Sequence, residues 1–151
     1  MYAANRALNE QEEVEVGKAL EAFTSQWTSH DMPLQGKASI LHQRVVLIAV
    51  NEAVHSVSGC GIDKSVKLIK DLGAQYGIDF FNRLQILVKQ DSALVGYTKE
   101  QLQQAIDKGE VDEETLVLNP MPQSLGEFKQ KAWVPLKQFW MAPQLKFSVK
   151  Y

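Results

Sequence analysis

Two apolar runs, residues 38–42 and 45–50, are separated only by Gln43 and Arg44, and this spacing limits the fold more than any other feature. The second run, "VVLIAV", is rich in β-branched residues, which suit a pleated and half-buried surface. So short a link suggests a hairpin, although the Asn-Gly turn signature is absent. His42, at the end of the first run, reads as a structural strand residue.

Helical patterns flank the hairpin on both sides. Residues 2–8 read as a short strand leading into a helix capped by Asn9 with Glu12 as its capping-box partner. Val16, Leu20, Phe23 and Trp27 recur at helical spacing and predict one buried face, ending near Thr28. Asp63 reads as the cap of a second helix, with Val66, Ile69, Gly73 and Tyr76 on one face and Gly77 at its end. Residues 84–90, "LQILVKQ", form a fourth strand candidate. The order βαββαβ is that of a ferredoxin-like unit, so the expected class is α+β with a ferredoxin-like unit over 1–92.

A smaller α/β appendage is expected over 93–151. Thr98 with Gln101 caps a helix carrying Leu102, Ala105 and Ile106 and ending at Gly109. Residues 115–118 make a short strand. Ser124 with Glu127 opens another helical turn containing Phe128 and Ala132, and Pro135 limits its continuation. The aromatic tail 139–151, "FWMAPQLKFSVKY", is expected to pack down or to meet a partner.

Composition narrows the function classes. Among 151 residues, 45% are hydrophobic and 23% charged, which supplies a sizeable core. The formal net charge of −2 and the lack of a basic stripe with interleaved aromatics argue against nucleic acid as a partner. The acidic run Asp112-Glu113-Glu114 reads as a solvated turn. A single cysteine excludes an internal disulfide framework and fits a reducing compartment. No long apolar run or secretory leader is visible, so the expectation is a cytoplasmic protein without membrane partners.

The stretch "SGCGIDKS" nearly spells a phosphate-binding loop. Setting Lys64-Ser65 on the final pair of G-x-x-x-x-G-K-[ST] puts Ser58 and Asp63 where glycines belong. A carboxylate capping the helix start would occupy the amide donors and repel phosphate. The loop is therefore read as a helix start and no nucleotide cofactor is expected. Gly59 and Gly61 are attributed to a tight turn that needs positive φ.

The same stretch offers a candidate thiol. Cys60 lies at or near a helix N-terminus, where the dipole favours thiolate, and His55 is close enough in sequence to act as a base. The expected topology brings Trp27, His30 and Asp31 to the end of the sheet that carries His55, Cys60 and Asp63. Such a group offers a nucleophile, a base and an aromatic wall, or one Cys, two His and an Asp to a metal. Metal-ligand spacings are absent from the chain, so no metal is expected. A free cysteine is also a common apolar filler, and both readings stand at this point.

The runs "FTSQWTSHDMPL", "SGCGID", "YGIDFFNRLQ" and "WVPLKQFW" resemble a family of short, uncharacterised bacterial proteins often labelled "ABC transporter ATPase". The resemblance brings no established activity, and the missing phosphate loop and "LSGGQ"-type segment contradict the label. Residues 96–136 resemble a bacterial GYF-type domain through Gly96, Thr98, Leu102, Gly109, Val111, Thr115, Leu116, Val117, Trp133 and Pro135. That resemblance implies a module binding partner peptides, with Tyr97, Trp133 and Trp140 lining the contact surface. The resulting expectation is a non-catalytic protein- or small-ligand-binding module with a protein partner or a homodimer. The alternative is a small thiol-dependent enzyme with Cys60, His55 and His30 as catalytic residues and Trp27 and Asp63 beside the ligand.

Overall fold

The first helix begins where its cap signature places it. In the computed structural model, which describes residues 1–147, α1 runs Glu10–Gln26 behind Asn9. The Asn9 side chain accepts the Glu12 N–H at 2.8 Å, and the Glu12 carboxylate accepts the Asn9 N–H at 3.0 Å. These reciprocal bonds satisfy two amide donors that a helix start otherwise leaves without partners.

The chain is α+β and divides into two units, Met1–Asn82 and Arg83–Tyr151. In the first unit, β1 (Tyr2–Ala3) leads into α1, followed by β2 (Thr28–Ser29), β3 (Met32–Pro33), β4 (Gly36–Leu41), β5 (Val45–Val50) and α2 (Gly59–Tyr76). β1, β5 and β4 form an antiparallel sheet in that order. Alternation along the strands puts Tyr2, Ala38, Ile40, Val46 and Ile48 on one face, with Val46 opposite both Tyr2 and Ile40. That face packs with Val16 and Leu20 of α1, Ile69 and Leu72 of α2, and the following Ile78 and Phe80.

The expected hairpin is present, but His42 is not a strand residue. It sits exposed in the turn with φ 50°, Gln43 follows at 55°, and Arg44 N–H closes the turn on Leu41 O at 3.0 Å. Left-handed conformation is tolerated there because neither residue is β-branched. Arg44 is buried and donates to the carbonyls of Ala4 at 3.0 Å and Asn5 at 2.9 Å, so the hairpin turn grips the end of β1.

The ferredoxin-like order is not completed. β5 lies between β1 and β4, which are joined through α1 and the β2–β3 hairpin, a split βαβ arrangement. The fourth strand, Ile86–Gln90, joins the sheet of the second unit instead. β1 is two residues long and offers little edge. Asn5 N–H meets Asp79 O at 2.9 Å, and Asp79 N–H returns to the Asn5 side chain at 2.9 Å. There the chain supplies Ile78 and Phe80 to the core rather than forming a ladder.

In the second unit β6 (Ile86–Gln90) and β7 (Ala93–Tyr97) form a hairpin across Asp91 and Ser92, with Asp91 at φ 51°. α3 (Lys99–Asp107), β8 (Leu116–Leu118), α4 (Leu125–Lys131) and β9 (Trp133–Pro135) complete an antiparallel sheet ordered β7-β6-β8-β9. Leu102, Ala105 and Ile106 of α3 pack onto Ile86, Val88 and Val117. Gly109 leaves the helix at φ 74°, and the Asp112 carboxylate then accepts the N–H groups of Glu114 and Thr115 at 3.0 Å, forming the expected acidic turn. In the described part of the tail Phe139 and Leu145 are core residues, with Met141 and Phe147 packed against the same cluster. Its last four residues, 148–151, lie outside the described residues. No helix among the described residues is long and apolar enough to cross a membrane.

Candidate functional site

The second helix starts earlier than its carboxylate suggests. Gly59 is its first residue, Ser58 is the N-cap with extended backbone, and Asp63 is an exposed residue in the second turn. Gly59 and Gly61 are therefore helical, and the positive-φ glycines among the described residues are Gly77 and Gly109. Gly61 is needed for a different reason. A Cβ there would lie 2.9 Å from Val57 Cγ2, 3.2 Å from Ser29 Cβ and 3.3 Å from Leu34 Cδ1.

The neighbour that demands this space is the β2–β3 hairpin. Its turn residues, His30 and Asp31, both take left-handed φ, 49° and 63°, as a two-residue type I′ connection requires. The hairpin places Thr28 and Ser29 against the start of α2. The fully buried Ser29 hydroxyl bonds the Ser58 hydroxyl and also accepts the Ser58 N–H at 3.0 Å. Ser58 consequently spends its side chain on the hairpin and makes no cap bond to its own helix. Lys64 Nζ donates to Thr28 O at 3.1 Å and to Thr28 Oγ1 at 2.8 Å.

Trp27 anchors the same junction. It is 6% exposed, and its indole N–H donates to Gly61 O at 2.9 Å. The ring lies against Gly36, where a Cβ would stand 2.6 Å from Trp27 Cε3, and 5.2 Å from the Phe23 ring centroid. The residue proposed from sequence as an aromatic wall is therefore a buried strut whose polar handle is committed.

The two sequence stretches thus meet, but through Trp27, Thr28, Ser29, Ser58, Gly61 and Lys64. Of the expected catalytic group, Cys60 and His30 are exposed and His55 is half-buried. Among the described residues, no hydrogen bond joins Cys60 to either histidine. No group of three or more His, Cys, Asp or Glu among the described residues is placed to hold a metal. Chemically, the junction presents a thiol in the first turn of a helix whose N-cap side chain is turned away.

Ser29 and Gly36 offer no chemical signal in the sequence, and Ser58 stood there only as a departure from the phosphate-loop pattern, not as the helix cap. A signal for the helix start was present nonetheless. Buried positions 61, 65, 69, 72 and 73 keep one helical stripe, and following it back to Gly61 places Asp63 inside the helix.

In the second unit Tyr97 and Trp133 lie on opposite edge strands of the sheet. Tyr97, on the edge strand β7, packs toward the α3 core, and its hydroxyl accepts from Gln90 Nε2 at 3.0 Å. With Gly96, Gln101, Gln104, Lys108 and Glu110 it lines an open depression of about 250 Å³. Trp133 is on β9, the opposite edge; its neighbour Val134 faces the core, so Trp133 takes the other face. The Lys89 ammonium lies 5.4 Å from the Trp133 ring centroid. Trp140 is 59% exposed, with its ring 5.6 Å from that of buried Phe139.

Away from these sites, a charged network ties the start of α1 to the end of α2. Arg6 donates to both Glu12 carboxylate oxygens at 2.8 Å and to Tyr76 O at 2.8 Å. The Arg6 bonds, with the Asn9 N–H, hold the Glu12 carboxyl down at about 2. Tyr76 donates to Glu15 at 2.7 Å, which raises the phenol above its ordinary range, and the Glu15 carboxylate is lowered first by the Gln11 side chain donating at 2.9 Å and then by Tyr76.

No known family model, curated protein or solved structure matches the chain.

Proposed function

We propose that the chain is a non-catalytic cytoplasmic module that binds a protein partner through the surface around Trp140. The observation that carries this reading is an indole 59% exposed on an anchored backbone. Phe139 N–H bonds Leu136 O at 3.0 Å and Ala142 N–H bonds Phe139 O at 2.8 Å, so a short turn lies on each side. Phe139 itself is buried in the core. Tryptophan supplies a large amphipathic contact area and is enriched at binding hot spots. Holding it on ordered backbone lowers the entropy lost on association.

The GYF-type resemblance supports the same reading. Its matching positions supply the frame of the second unit: Thr98 caps α3, Leu102 and Val111 are buried, and Gly109 takes positive φ. Trp140→Ala tests the proposal. The variant should melt within about 0.5 kcal/mol of wild type, as an exposed substitution does. It should lose one or more proteins that the immobilised wild-type chain retains from a cell lysate. A mass measurement in solution reports whether the partner is a second copy. Identical retained sets and identical masses for the two proteins would overturn the proposal.

A second reading, thiol chemistry at Cys60, is favoured by one observation: the thiol is exposed in the first turn of α2. The pH dependence of alkylation in the native protein tests it. An apparent pKa well below the free-thiol value of about 8.5 supports an activated thiolate, and a value at or above it removes the reading.

A further inference from the structure

We draw no further inference here: the strongest candidate, the exposed Cys60 in the first turn of α2, is a lone thiol at a helix start, and no buried unpartnered side chain there points to a ligand.

Discussion

Replacing Gly61 by alanine adds one methyl group at the junction between α2 and the β2–β3 hairpin. Inside a helix that exchange ordinarily gains about 1 kcal/mol, because glycine loses more backbone freedom on folding. Here the new Cβ would stand 2.9 Å from Val57 Cγ2, 3.2 Å from Ser29 Cβ and 3.3 Å from Leu34 Cδ1. Val57 is able to turn aside, but Ser29 Cβ is fixed to a strand that bonds Ser58. Relief requires the hairpin to move off, stretching the Ser29–Ser58 and Trp27–Gly61 bonds, each worth about 1 kcal/mol. Overpacking costs about 1–3 kcal/mol. Less the propensity gain of about 1 kcal/mol, overpacking leaves about 0–2 kcal/mol, and partial loss of the two stretched bonds adds about 1, so the expected net loss is about 1–3 kcal/mol. For a chain of this size that lowers Tm by about 2–4 °C for each kcal/mol. Gly59→Ala is the internal control, because a Cβ there meets nothing within 4 Å. Thermal unfolding followed by circular dichroism should rank Gly61→Ala clearly below Gly59→Ala. Equal melting temperatures would refute the claim that close approach, rather than turn geometry, keeps position 61 glycine.

Other outcomes follow from the same structure. Glu12 is depressed from 4.5 to about 2, so its stabilising contribution is complete above the unfolded value and is lost as pH falls through that window. Urea midpoints between pH 6 and 2 should therefore drop more for wild type than for Glu12→Gln, which keeps the capping box but has no carboxylate to protonate. Asn9→Ala should cost about 0.5–2 kcal/mol by losing an N-cap, while Asp63→Ala should stay within about 0.5 kcal/mol. The opposite ranking in denaturant melts would restore Asp63 as a cap. Because Cys60 is exposed, a neutral maleimide should label it in the native protein at a rate comparable to that of the urea-unfolded chain. Labelling that waits for unfolding would contradict that exposure.

Local chemistry made much of the fold legible, and tertiary chemistry hid the rest. The starts of α1 and α3 could be read because each cap and its partner lie three residues apart, at Asn9–Glu12 and Thr98–Gln101. The β4–β5 hairpin was legible from its β-branched run even though its turn uses His42 and Gln43. The start of α2 was obscured because two glycines cost a helix about 1 kcal/mol each and so read as loop. At Gly61, contact with the hairpin explains the choice, and that contact is distant in sequence. β2 and β3 are two residues each, too short for any alternation to register, and their turn is His-Asp rather than Asn-Gly. β7 was missed for a related reason: Gly96 interrupts the strand and Asp91-Ser92 is a weak turn signal. Once that hairpin forms, β6 pairs with its immediate successor, a local closure that leaves β1 without a fourth strand. At the candidate site, the stretch after α1 meets the start of α2. The contacts proved to run through Trp27, Thr28 and Ser29 rather than through the histidines.

The most direct test of the proposed binding role is a titration of a partner recovered on the wild-type chain against wild type and Trp140→Ala. A central tryptophan contact contributes about 2 kcal/mol or more, so the variant should bind at least about 30-fold more weakly while melting like wild type. Affinities within about twofold of each other would contradict the account and take the interaction surface away from Trp140.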